Sequence, residues 1–190
     1  MPDAGRIIAG SARGVRLEAP GPTTRPLADR VKQTLFAILE PDLPGARVLD
    51  LFAGSGAAGL EALSRGAAHA TFVERDKGAA ATIAANLART HLAGERARIV
   101  RAEALAWLRG PEAVDAGPFG VVIVDPPYAE VDILASALNA LGPLLAPGTR
   151  VVAKHFWRDA PPARIGLLAS ERERRFGETT LTFYRRQEDR

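Results

Sequence analysis

From Arg47 onward, short apolar runs alternate with longer stretches in which apolar residues recur every three or four positions. Runs of four to six apolar residues bounded by glycine or proline read as buried strands, and the three-to-four spacing reads as amphipathic helix. On this pattern strands are predicted at Arg47–Leu51, Ala70–Val73, Ala97–Arg101, Val121–Val124 and Arg150–Lys154. Between them lie helices at about Leu60–Arg65, Lys77–Thr90, Leu105–Arg109 and Val131–Leu145. Strand–helix alternation of this kind predicts a mostly parallel sheet covered by helices on both faces. The last stretch breaks the rhythm: Ala163–Arg175 and Thr179–Arg186 are joined only by Phe176-Gly177-Glu178. So short a connection joins only antiparallel strands. Ahead of the alternating region, Arg6–Ala9 and Gly14–Leu17 flank a turn and predict a small hairpin. A capped helix is expected to follow, from about Thr24 to Leu39, with Leu27, Val31, Leu35, Ile38 and Leu39 on its apolar stripe and Arg25, Asp29, Arg30 and Lys32 mostly off it. The expected class is α/β: a seven-stranded, Rossmann-like sheet ending in an antiparallel hairpin, with a short N-terminal β-hairpin extension.

Two strand ends carry the chemistry. The apolar run 121–124 ends in Asp125-Pro126-Pro127-Tyr128, an acid, two residues without a backbone N–H, and an aromatic ring. Ligands of open α/β sheets bind at the carboxyl ends of the strands. An acceptor-rich, donor-poor edge beside a stacking surface suits a planar ring that bears an amino group. Upstream, Asp50-Leu51-Phe52-Ala53-Gly54-Ser55-Gly56 runs through Gly59 into a helix. Glycines at 54 and 56 allow a tight turn and a close ligand approach, and the helix start offers free N–H groups. Glu74 closes the next strand, 20 residues beyond Gly54, a spacing at which a carboxylate accepts from ribose hydroxyls. That pattern alone does not separate a dinucleotide from S-adenosylmethionine. Asp50 does: a carboxylate before the glycines repels a pyrophosphate and suits a cationic amino-acid tail, held directly or through water.

Composition narrows the rest. The 190 residues suit one domain with a small extension, 47% are hydrophobic, and no apolar run nears the roughly 20 residues that span a bilayer. Arg6–Gly10 is far too short for the apolar core of a signal peptide, and cysteine is absent, so neither a disulfide framework nor a thiolate site is expected. His69, His91 and His155 are scattered singly. The expectation is a cytoplasmic, metal-free protein, monomeric by default. The net charge of +3 is unevenly spread: +3 over residues 1–32, −4 over 33–149 and +4 over 150–190. Basic flanks around an acidic centre suggest a polyanionic partner contacted outside the cofactor cleft.

Four blocks give the chain a family resemblance. They are Arg6-Ile7-Ile8-Ala9-Gly10 with Arg13-Gly14; Thr24-Arg25-Pro26 with Asp29-Arg30-Val31-Lys32-Gln33-Thr34-Leu35-Phe36; Asp50 through Gly56 continuing as Gly59-Leu60-Glu61-Ala62-Leu63-Ser64-Arg65-Gly66; and Asp125-Pro126-Pro127-Tyr128. Together they resemble the RsmD-type 16S rRNA guanine-N2 methyltransferases. The resemblance implies a class I methyltransferase domain over residues 23–190, behind a basic hairpin at 1–22. It implies S-adenosylmethionine held by Asp50, Phe52, Gly54, Gly56 and Glu74, with Glu103 and Ala104 at the adenine edge. The substrate implied is a guanine of 16S rRNA within the assembling small subunit. The family often carries an acid near the end of the fifth strand, where this chain has Lys154-His155.

On this reading Asp125 and the Pro126 carbonyl accept the two amine hydrogens, and Tyr128 stacks on a base taken out of its helix. Arg6, Arg13, Arg16, Arg25, Asp29 and Lys32 are the candidates for RNA docking. Rival readings are an adenine-N6 or protein glutamine-N5 methyltransferase, a non-catalytic S-adenosylmethionine-binding RNA factor, and an NAD-dependent oxidoreductase. The intact Asp125 motif argues against the inert factor, and Asp50 argues against the oxidoreductase.

Overall fold

The computed structural model describes residues 3–21, 28–128 and 131–188. Its elements follow the chain as β1 (Asp3–Arg6), β2 (Arg16–Glu18), α1 (Asp29–Leu39), β3 (Arg47–Leu51), α2 (Ala57–Ser64), β4 (His69–Glu74), α3 (Lys77–Arg89) and β5 (Ala97–Arg101). Then come α4 (Ala104–Leu108), α5 (Pro111–Ala116), β6 (Phe119–Val124), α6 (Val131–Ala140), β7 (Leu145–Phe156), β8 (Arg164–Ile165), β9 (Leu168–Phe176) and β10 (Thr179–Arg186). One eight-stranded sheet has the order β5-β4-β3-β6-β7-β10-β9-β8. Strands β3 to β7 pair in parallel, and β7, β10, β9 and β8 pair antiparallel. The expected seven strands are present, and the two-residue β8 is added at the edge where Gly166 breaks the predicted Ala163–Arg175 run. Among the described residues no helix is long and apolar enough to cross a membrane.

Alternating side chains divide the sheet into two cores. Val48, Phe72, Ile123, Val152 and Phe183 face α1, α2, α3 and the hairpin; Leu49, Val73, Val122, Val151 and Tyr184 face α4, α5 and α6. The chain leaves β3 for β4 and β5 on one side, then returns to place β6 on the other. The β3/β6 boundary is therefore a topological switch point, where helices diverge and leave a crevice at the strand ends.

The N-terminal hairpin is shorter and shifted relative to expectation, and its hydrogen bonds explain why. Residues 8, 9, 11 and 12 donate to α2 instead of pairing with each other: Ile8 and Ala9 N–H to the Glu61 carboxylate (2.7 and 3.0 Å), Ser11 N–H to Ser64 O (2.9 Å), and Ala12 N–H to Ser64 Oγ (2.9 Å). Asn86 on α3 clamps Glu18 through both its N–H and its carbonyl. Two blocks of the family resemblance, Arg6–Gly10 and Gly59–Gly66, thus hold one another. Gly10 makes the seat possible, with φ +85° and an added Cβ only 1.8 Å from Ser64 O. Gly10→Ala should cost about 1–3 kcal/mol of stability in a denaturant titration. Gly14→Ala, also at positive φ (+86°) but with open space around its Cβ, should cost only about 1 kcal/mol of backbone strain. Equal losses would show that the hairpin does not seat on α2.

Candidate active site

A cleft of about 750 Å³ opens at the switch point, lined among others by Asp50, Gly54, Glu74, Glu103, Asp125 and Lys154. The two acidic strand ends foreseen from the sequence therefore share one cavity. Its floor is the turn after β3, where Phe52, Gly54 and Gly56 all take positive φ (+66°, +55° and +76°). That conformation is cheap for the glycines and strained for Phe52. Glu74 is held on both oxygens by main-chain donors, Gly54 N–H and Asp76 N–H, each at 2.8 Å. Its carboxylate is fixed across the mouth of the turn. Glu103 caps α4, accepting from Ala106 N–H at 2.9 Å, and Ala104 is buried behind it while still lining the cleft.

Asp50 is 2% exposed and accepts from Gly59 N–H at 2.8 Å. Burial pushes its carboxyl up to about 7, against the Gly59 hydrogen bond and with help from Asp125 and Glu74. A buried acid in that state is poised to lose its proton when a cation arrives.

On the substrate side, Asp125 follows β6 and its main chain is tied to Leu51 O at 3.3 Å. Tyr128 is 41% exposed at the rim, and its hydroxyl shares a 2.7 Å hydrogen bond with Thr179 Oγ1. Phe156 packs edge-on against the ring at 6.3 Å. The residue that sequence reasoning left without a role is Lys154. Its Nζ donates to Asp125 Oδ1 at 2.6 Å and lies 5.1 Å from the Tyr128 ring centroid. Burial alone would lower its pKa, but the Asp125 charge and hydrogen bond outweigh that and hold the ammonium above its ordinary range. The signal was present: β6 and β7 are parallel neighbours with Val124 opposite Ala153, which sets residue 154 beside residue 125.

Of the proposed RNA-docking residues, the hairpin arginines and Asp29 are solvent-accessible and Lys32 is not. Arg6 and Arg16 are exposed and ion-paired with Asp29 (3.5 Å) and Asp3 (2.9 Å), and Arg13 is exposed. Lys32 corrects the expectation. It is wholly buried, donates to the Arg6 carbonyl and faces Glu61 and Asp29, so it fastens the hairpin to α1 and is out of reach of RNA. Arg25 lies outside the described residues. At the other flank, Arg150 and Arg185 pair with Asp42 and Glu171, while Arg158 and Arg175 lie over the Trp157 ring at 4.7 and 4.1 Å.

The strand order, the glycine turn beneath the cleft and the acids closing β4 and β6 define a class I methyltransferase fold. The profile of the family described as Conserved hypothetical protein 95 matches residues 5–185, and the chain belongs to that family, the RsmD family. YlbH of Bacillus subtilis, which carries the name of an rRNA methyltransferase, is 36% identical over 184 residues, covering 95% of this chain and 98% of YlbH. Ribosomal RNA small subunit methyltransferase D of Escherichia coli strain K12 is 45% identical over 137 residues, 72% of this chain and 66% of that protein. A solved Escherichia coli structure described as the methyltransferase yhhF has a TM-score of 0.83 at 35% identity, covering 96% of this chain and 97% of that one.

Proposed function

We propose that this protein transfers a methyl group from S-adenosylmethionine to the exocyclic N2 amine of a guanine in 16S rRNA. The observation that carries the reading is the meeting, in one cleft, of the glycine turn and Glu74 with Asp125-Pro126-Pro127-Tyr128. Membership of the RsmD family supports the RNA substrate. The residues present fit the cofactor. Glu74 is oriented for ribose hydroxyls, Glu103 and Ala104 border the adenine side, Phe52 and Gly54 line the floor while Gly56 turns the chain into α2, and Asp50 stands ready for the cationic amino group. The cofactor supplies an electrophilic sulfonium methyl group.

A guanine amine is a poor nucleophile because its lone pair is delocalised into the ring. Asp125 and the Pro126 carbonyl accept its two hydrogens, which orients the lone pair out of the ring plane toward the methyl carbon. A cofactor held by these residues would supply the methyl group to that nitrogen and leave as S-adenosylhomocysteine, and Asp125 or water would take the one proton the amine sheds. Positioning supplies most of the acceleration. Tyr128 stacks on the extruded base, a contact worth about 1–3 kcal/mol. Work on rRNA within the assembling small subunit, as a monomer in the cytoplasm, is part of the same proposal.

The test is methyl transfer from labelled cofactor to small-subunit particles and rRNA from cells lacking this protein, with the modified nucleoside identified by mass spectrometry. N2-methylguanosine is the expected product. Label in N6-methyladenosine or in protein, or none in RNA despite cofactor binding, would overturn the assignment.

A further inference from the structure

Lys154 stands where neither the cofactor contacts nor the amine acceptors call for a cation. Its ammonium is bonded to Asp125 Oδ1 at 2.6 Å and lies over the Tyr128 ring, 5.1 Å from its centroid, so it touches both the amine acceptor and the stacking ring. A base that stacks on Tyr128 with its amine on Asp125 passes directly beside it. An ammonium offers three donors and no acceptor, and Asp125 uses one of them. The group stays charged, because Asp125 outweighs the burial that would otherwise lower its pKa.

The guanine N2 amine is flanked by two unlike neighbours, the acceptor N3 and the donor N1–H. Turning N1–H toward an ammonium sets donor against donor and gives its remaining N–H groups no acceptor on the base. Turning N3 toward it gives a charge-assisted hydrogen bond. We infer that Lys154 donates to N3 of the target guanine, so that the base enters with its N3 edge, and not its N1–H edge, toward β7. Lys154 is then a specificity-determining residue that sets which way round the base is held. Adenine and cytosine also carry an acceptor beside their amines, so this contact selects the orientation of guanine and leaves the choice among bases to other groups. The inference rests on the guanine-N2 reading above.

An exchange of one substrate atom tests it. Once the modified nucleotide has been located, small-subunit particles are reconstituted with guanosine or 3-deazaguanosine at that position. Methylation is then measured with the wild type, Lys154→Met and Lys154→Gln. S-adenosylhomocysteine binding serves as the check that each variant is folded. The wild type should lose roughly 10–100-fold in kcat/KM on the deaza substrate, the range of a hydrogen bond to a charged group. Lys154→Met should be slow on both substrates and discriminate less than about twofold. Lys154→Gln, which keeps a donor, should recover part of the discrimination.

Any change in amine nucleophilicity caused by the deaza ring acts on all three proteins alike, so only a lost N3 contact makes the two defects non-additive. If Lys154 only anchors Asp125, the variant and the deaza losses will multiply. That result, or a wild type indifferent to N3, overturns the inference and leaves the guanine-N2 activity standing. A wild type that forms no N2-methylguanosine even on the guanosine substrate takes both readings down.

Discussion

Asp125→Ala should bind S-adenosylhomocysteine nearly as well as the wild type and transfer methyl groups about a thousandfold more slowly, within the 10²–10⁴ range of positioned acid–base groups. Asp125 follows β6 beside Leu51, and its carboxylate is bonded to Lys154, so removing it takes no contact from the glycine turn or from Glu74 and cofactor affinity has little reason to fall. Three losses converge on the chemical step. The amine loses an acceptor that orients its lone pair, and the nitrogen gaining positive charge loses the carboxylate beside it. In addition, the Lys154 ammonium, bonded to Asp125 at 2.6 Å, is left without that counter-ion next to the same nitrogen. Removing one partner of a partly buried pair costs more than removing both, because the survivor is uncompensated. Asp125→Asn keeps the shape and one acceptor oxygen but not the charge, and should fall between. Single-turnover methylation by the three proteins decides the matter. An Asp125→Ala rate within about fivefold of the wild type would remove Asp125 from the reaction.

What the sequence disclosed about this site, and what it did not, follows from the range of the interactions concerned. The strand–helix alternation, the terminal antiparallel pair and the two acidic strand ends were legible because each depends on neighbours a few residues away. The hairpin was legible only as existing. Its bounds moved to Asp3–Arg6 and Arg16–Glu18 because Glu61 and Ser64, more than fifty residues on, take the N–H groups that a free hairpin would pair internally. Lys32 looked like part of a solvated face. The helix in fact turns it onto the buried side with Val31, Leu35 and Phe36, where a carbonyl of the hairpin receives its charge. Helix α5 went unforeseen, although Pro111 at its first turn is a standard start signal, because six residues are too few to show a period. Lys154 became visible only through the pairing of β6 with β7, which joins residues 29 positions apart.

The affinity for S-adenosylhomocysteine should rise with pH through about 7, and Asp50→Asn should abolish that dependence. Asp50 is buried, and burial with the nearby Asp125 and Glu74 charges raises its carboxyl to about 7 in the cofactor-free protein. The sign follows from linkage. A carboxyl whose folded-state pKa lies above its ordinary value of 3.8 favours folding most fully at pH values below that ordinary value, and the contribution is lost as pH rises through 7. The cofactor-free protein thus keeps a proton on Asp50 below pH 7 that a cationic amino group must displace. Binding then releases one proton, and the dissociation constant grows by up to about tenfold per pH unit below 7. Between pH 7.5 and 5.5 a single such proton weakens binding roughly twenty- to thirtyfold. Asparagine is neutral throughout and its carbonyl can still accept from Gly59 N–H, which Asp50 now holds at 2.8 Å. That variant should bind more weakly at pH 7.5, with an affinity nearly flat across the range, and should melt higher than the wild type at pH 8 in the absence of cofactor. Calorimetric titration in two buffers of different ionisation enthalpy counts the proton directly. A wild type that releases none, or an Asn variant with the same pH slope, would mean that Asp50 only caps the glycine turn and that the amino group of the cofactor is held elsewhere.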